Sequence, residues 1–420
     1  MTSLVSRFVR IKKPITGLLF AVCTCLTGAA VRAESAPALS EADAIRLALQ
    51  RKALAQVLKG AEEIERGRAE TEGAWPNPEL SFTREQTFGP RGTRDDYVVL
   101  SQQLDIAGRR SLRAQAAEAR AKAVQGKGRA LHVTIAAEVR EKFFVAVHSR
   151  DQVGALRDWK QRIGAALEVV ARRERRGEAA QYDRTRLGRE DTLADAKLQA
   201  AVAADARKRA ELRTVLGVPL PQSLVGLLLP PKPQPSARLQ AGLANRQDLQ
   251  ALRLQLHAAT LEQKAASRWW VPDLRLDLGW KGTDLGEAGR TDGFVLGAAL
   301  TLPLWNQSAG YARSARGEAA VTQGTRELKQ SAARHDLEAA RAEALKLRSV
   351  AVTFRTKSTK QNRDLLRMAE RGYEAGELGL LELLDAYRGA AEDQMTALDM
   401  DLAARRAHVR LLRLAGVIEQ

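Results

Sequence analysis

Side chains able to do chemistry are plentiful in this chain but seldom grouped. The five histidines, His132, His148, His257, His335 and His408, are scattered without a close pair. No His-Glu-x-x-His or comparable spacing accompanies them, and both cysteines, Cys23 and Cys25, lie near the N-terminus. A tight transition-metal site within one chain is therefore not expected. A phosphate-cradling glycine loop, a nucleophile elbow and a dinucleotide fingerprint are all missing from the sequence, so neither a cofactor nor an enzymatic centre is read from it. One local concentration of acid remains, Glu370, Glu374 and Glu377. Its chemistry is electrostatic, and two readings stand. Converging carboxylates favour cations, whereas i,i+3 pairing of Glu370 with Arg367 and of Glu374 with Arg371 makes an ordinary solvated surface.

The elements that place these residues occur twice. Arg176-Gly177-Glu178, then Asp183 and Leu216-Gly217-Val218, recur as Ala375-Gly376-Glu377, Glu382 and Ala415-Gly416-Val417, offset by 199. Trp75 and Pro78-Glu79-Leu80 recur as Trp269 and Pro272-Asp273-Leu274, offset by 194. A long shared period means two copies of one structural unit. The expected division is 34–218 and 237–420, joined by a proline-rich connection at 219–236.

The N-terminus has Arg7, Arg10, Lys12 and Lys13, an apolar run from Ile15 to Val31, and Val31-Arg32-Ala33. That is the pattern of a signal peptide over 1–33, cut after Ala33. An uncleaved anchor is the competing reading, for which the run is short and interrupted by threonines. The mature chain would hold no cysteine. Its formal charge would drop from +17 by the five positive charges of the segment, to +12. The basic residues are spread along helices among Glu and Ala, so solvated faces explain them better than a nucleic-acid partner.

Proline placement sets the architecture. None of the 13 prolines falls between Arg91 and Val218 or after Pro303, and six crowd the connection. Such stretches, rich in Ala, Leu, Arg and Glu, permit very long helices. Arg109–Arg175 and Ser308–Glu374 each span 67 residues, about 100 Å of helix. Each run meets a glycine, Gly177 or Gly376, before a second helical stretch of about 40 residues. Two long helical hairpins follow, over about 109–217 and 308–416.

Ahead of each hairpin the period changes to two. Leu274, Leu276, Leu278 and Trp280 alternate with polar residues, as do Phe294, Leu296, Leu300 and Leu302 with small or polar ones. The corresponding ribbon of the first copy runs over Glu79–Phe88 and Tyr97–Leu104, with Arg84 interrupting one face. A soluble half-buried ribbon would alternate in the same way. Two of them at matching places in a secreted helical chain favour strands that cross a membrane, at about 79–104 and 273–304. Four strands cannot close a barrel, and open edges cannot face lipid, so several copies must pool strands around one axis. The fold class expected is mainly α with a small β part.

On these residues the chain resembles the TolC family of outer-membrane efflux factors. The hairpin turns match, with a glycine followed six residues later by an acid: Gly177 to Asp183 and Gly376 to Glu382. Gln103-Leu104-Asp105-Ile106-Ala107-Gly108-Arg109-Arg110 and Leu302-Pro303-Leu304-Trp305-Asn306-Gln307 look like the strand-to-helix junctions of its heavy-metal subgroup. The resemblance implies a homotrimer with a shared twelve-stranded β-barrel in outer-membrane lipid and a periplasmic α-barrel. It implies a Gram-negative host, a periplasmic adaptor, an inner-membrane resistance-nodulation-division pump, and export of heavy-metal cations. Gly177, Glu178, Asp183, Gly376, Glu377 and Glu382 become adaptor-docking tips, and Glu370 and Glu374 become entrance residues. The same fold serving multidrug efflux or protein secretion is the alternative, and a periplasmic adaptor is a weaker one.

Overall fold

The computed structural model describes residues 38–418 apart from 90, 91, 222, 303 and 306–308. The leader, both cysteines and part of the 302–307 junction lie outside the described residues. A short strand β1 (Leu39–Ser40) leads into helices α1 (Glu41–Leu49) and α2 (Lys52–Gly73), then strands β2 (Glu79–Gln86) and β3 (Arg94–Leu104). The first helical hairpin is α3 (Arg109–Arg175) with α4 (Gln181–Leu216). After β4 (Leu224–Val225) come α5 (Ser236–Leu243), α6 (Gln247–Ser267), and strands β5 (Asp273–Asp284) and β6 (Arg290–Thr301). The second hairpin is α7 (Ala309–Ala375) with α8 (Leu380–Ala415).

The two hairpins match in length, 67 residues followed by 36 in each. The second strand pair is longer than its alternation suggested, extending to Asp284 and restarting at Arg290 around a single 3-10 turn, Gly286–Ala288. Leu302 falls just beyond β6, which corrects its assignment as a strand residue. No described helix is long and apolar enough to cross a membrane.

Helices α2 and α6 did not stand out in the sequence, yet they complete the wall. At about 1.5 Å per residue α3 is roughly 100 Å long and α4 only about 54 Å. The remaining length of α3 is covered by α2, 22 residues long, which meets it where Gly73 approaches Ala114 and Gly128 approaches Leu58. α2 and α4 thus form one stack beside α3. An arginine closes the joint: Arg51, the N-cap of α2, donates from Nη1 to Val215 O at the end of α4, 3.1 Å away. The other stack repeats this, with Arg246, the N-cap of α6, donating to Leu414 O of α8 at 3.1 Å. The last carbonyls of a helix lack partners within it, so each arginine satisfies an orphan.

Contacts order the wall as α2/α4, then α3, then α6/α8, then α7. Alanines at 116 and 119 of α3 let α6 approach at Ala258 and Leu261. Gly126 of α3 leaves only 3.1 Å between a notional Cβ and Ala251 Cβ. The sheet follows the same order, β2-β3-β5-β6, all antiparallel. Sheet and wall are therefore open at the same two edges: β2 with α2/α4, and β6 with α7. Apolar side chains lie exposed on both edge helices, Val57 and Ile64 on α2 and Val321 and Leu328 on α7.

Midway along the wall the proline-rich connection lies as a strap. It has few N–H groups to give and many carbonyls to satisfy. Arginines supply the donors. Arg150 of α3 reaches Leu224 O, Arg405 of α8 reaches Leu227, Leu228 and Leu229, and Arg348 and Arg341 of α7 reach Pro230 and Gln234.

Candidate functional site

The sheet has two unlike faces. Register aligns Leu80, Leu100, Leu278 and Leu296 in one row and Phe82, Val98, Trp280 and Phe294 in the next, and all eight are exposed. Leu276 and Leu300 extend the same face, and Leu274 is half-buried there. The opposite face is polar: Ser101 donates to Asp277 at 2.6 Å, Thr283 to Asp95 at 2.5 Å, and Lys281 lies 3.3 Å from Asp95. Arg84, which breaks the apolar alternation, occurs one row beyond Phe82 towards the loops. It forms a two-pronged pair with Asp96 at 2.6 and 3.0 Å. Its charge is thereby matched at the end of the apolar band, not at its centre.

At the sheet's other end the chain turns into α3 through Gly108, with φ of 65°. Asp105 accepts from the N–H groups of Arg109 and Arg110 at 3.1 and 2.6 Å, and so caps α3 from within the junction motif. Arg110 also lies 4.1 Å over the ring of Trp75.

The two hairpin tips have the same geometry. Gly177 and Gly376 both have φ of 76°, with open space where a Cβ would project. Glu178 N donates to Arg173 O, and Glu377 N to Gly372 O, each at 2.9 Å, closing the helix ends. Asp183 and Glu382 occupy the third position of the helices that follow, where a carboxylate suits the positive end of the helix dipole. Glu178, Glu377 and Glu382 are exposed and Asp183 is half-buried.

The acids above the second tip do not form the surface pairs their spacing suggested. Arg367 turns to Asp364. Glu370 instead accepts from Arg162 Nη1 of α3 at 3.3 Å and from the Tyr387 hydroxyl of α8 at 3.4 Å. The cause is packing: α3 and α8 meet in one apolar cluster containing Trp159, Ile163, Leu384 and Tyr387, which brings Arg162 to α7. Burial, and then the nearby Glu370 charge, push the Tyr387 hydroxyl up to about 12. Glu374 is exposed.

Two residues that sequence reasoning missed tie the hairpins together. Arg173 of α3 donates to Tyr373 O and Glu374 O at 3.4 and 3.1 Å, capping α7 from the other hairpin, with its guanidinium 5.2 Å from the Tyr373 ring. Arg388 of α8 forks onto Glu190 of α4, a carboxylate only 1% exposed. The repeat offers one sequence signal, because Arg173 precedes Gly177 by four residues as Gly372 precedes Gly376. The arginine thus stands where its counterpart is glycine. Among the described residues, no three metal-ligating side chains converge.

A sheet with one apolar and one polar face, continued by a helical wall open at the same edges, defines a subunit of an outer-membrane channel. Residues 239–417 match the family described as outer membrane efflux protein. The cobalt-zinc-cadmium resistance protein CzcC of Cupriavidus metallidurans is 27% identical over 317 residues, covering 74% of each chain. The fold is similar to that of CusC, with a TM-score of 0.73, 17% identity, and 90% and 92% of the two chains covered. It is similar also to the open state of the MtrE outer membrane channel of Neisseria gonorrhoeae, with a TM-score of 0.70, 20% identity, and 90% and 89% covered. Residues 239–417 thus carry an outer membrane efflux protein domain, and the chain is an efflux channel of the outer membrane extending into the periplasm.

Proposed function

We propose that this channel exports heavy-metal cations as the outer-membrane part of a tripartite system. The similarity to CzcC, a cobalt-zinc-cadmium resistance protein, supports the cargo. The observation that carries the assembly is the coincidence of open edges, β2 with α2/α4 and β6 with α7. Three copies joined edge to edge give twelve strands, enough to close a barrel in lipid. In this assembly the row of Leu80, Leu100, Leu278 and Leu296 faces lipid and the Asp277–Ser101 face lines the passage. Cargo choice then belongs to the inner-membrane pump, because a conduit must release what it carries. Deleting the gene should lower growth on zinc, cobalt or cadmium, with recovery on complementation. Unchanged metal tolerance together with new sensitivity to hydrophobic drugs would replace the cargo assignment by multidrug efflux.

The tips around Gly177 and Gly376, with Glu178, Asp183, Glu377 and Glu382, are the surface for a periplasmic adaptor. Gly177→Leu or Gly376→Leu forces a side chain into left-handed backbone at a local cost of about 1–2 kcal/mol. Because the space beyond each glycine is open, damage should stay local. In-cell cross-linking to the adaptor should fall several-fold while the protein still reaches the outer membrane. Full cross-linking in both variants would remove the docking assignment.

Glu370 and Glu374 form part of the entrance. Glu370→Gln with Glu374→Gln should weaken the Arg162 link and lower cation selectivity in single-channel recordings. Unaltered conductance and selectivity would leave Glu370 a purely structural tie between α3, α7 and α8.

A further inference from the structure

Most buried or half-buried arginines of this chain have an acid or a carbonyl to meet. A groove of about 470 Å³ at the corner of α5, α6 and α7 gathers one half-buried and two exposed arginines that do not. Arg253, Arg326 and Arg334 line it, and among the described residues none has a hydrogen bond or ion pair. The groove has one carboxylate, Glu338, and that accepts from Gln240 Nε2 at 2.9 Å. The local balance is therefore two positive charges in excess, above a floor that includes Leu243 and Leu337. Both leucines belong to the packed cluster that joins α5, α7 and α8, so the floor is rigid.

Position selects the ligand. Arg326 and Arg334 lie 17 and 25 residues beyond the start of α7 at Ala309. At about 1.5 Å per residue they stand roughly 26 and 38 Å from the membrane end of the wall. Lipid phosphates are out of an arginine's reach at that depth, and the periplasm holds no nucleic acid. The polymer of that compartment is the cell wall, whose short peptides carry free carboxylates on small aliphatic residues. Guanidinium groups fork onto carboxylates, and the leucine floor accepts methyl groups.

We propose that this groove binds the carboxylate-bearing peptides of the periplasmic cell wall, anchoring the channel where its helical wall passes through that layer. The site uses none of the residues assigned to the membrane, the tips or the entrance. It rests on the outer-membrane location and not on the identity of the cargo.

Co-sedimentation of the purified, detergent-solubilised channel with insoluble peptidoglycan sacculi tests this. Wild type should pellet with sacculi and be released as salt rises. Changing Arg253, Arg326 and Arg334 together to Gln should reduce binding about tenfold, as expected for three exposed charge contacts. A charge-matched control, Lys127, Arg129 and Arg157 to Gln on α3, away from both open edges, should pellet like wild type. Sacculi whose carboxylates have been amidated should bind neither protein. The proposal is overturned if the groove variant pellets like wild type, or if amidation has no effect. It is overturned as well if the groove variant loses its oligomeric state on size-exclusion chromatography, which would make the groove a seam between subunits. Competition by vesicles of phosphatidylglycerol, but not by soluble muropeptides, would make it a lipid site and equally overturn it.

Discussion

Replacing Arg405 by methionine should lower stability by about 3 kcal/mol or more, the range for removing one member of a buried charged network. Arg405 is 8% exposed and lies 4.0 Å over the Phe144 ring. It donates to Leu228 O at 2.8 Å and Leu229 O at 3.1 Å, and also to Leu227 O. Burial pulls its pKa down to about 10, partly offset by Glu41, so it remains charged at neutral pH. Methionine would keep much of the packing and strand three carbonyls of the strap. It would also remove a positive neighbour from Asp401, a carboxyl that burial already pushes up. Arg405→Lys should fall between, since its donors sit on one nitrogen whereas the guanidinium reaches the strap from both Nε and Nη2. The measurement is the thermal midpoint of the detergent-solubilised protein. An unchanged midpoint for the methionine variant would mean that the strap is held by its leucines alone.

Gly279→Val should abolish the assembled outer-membrane form. Gly279 stands opposite Val99 in the middle of β5. A Cβ there would press against the Val98 carbonyl oxygen and come within 3.0 Å of Val99 Cα. Backbone cannot yield as a side chain can, so overpacking of about 3 kcal/mol falls on the ladder joining the two strand pairs. Gly293→Val is the companion, because nothing lies within 4 Å of its notional Cβ. Heat-resistant oligomer on unboiled gels should vanish in the first variant and persist in the second. Equal amounts in both would show that β3 and β5 need no close approach at Gly279.

The long helices were legible because proline-free, alanine-rich composition acts locally, residue by residue, along α3 and α7. The tips were legible too, since only glycine tolerates left-handed backbone at Gly177 and Gly376 at no cost, and period two marked the strands before any partner was known. The stacked joints at Arg51 and Arg246, the strap arginines and the Arg162–Glu370–Tyr387 link were not. In each, the partner is a carbonyl or carboxylate on another element, and an arginine's sequence neighbours do not reveal it. Local backbone preference determined the elements of this chain. Only the packing of α3 against both stacks decided which charges meet, because its length brings residues from both hairpins onto one surface.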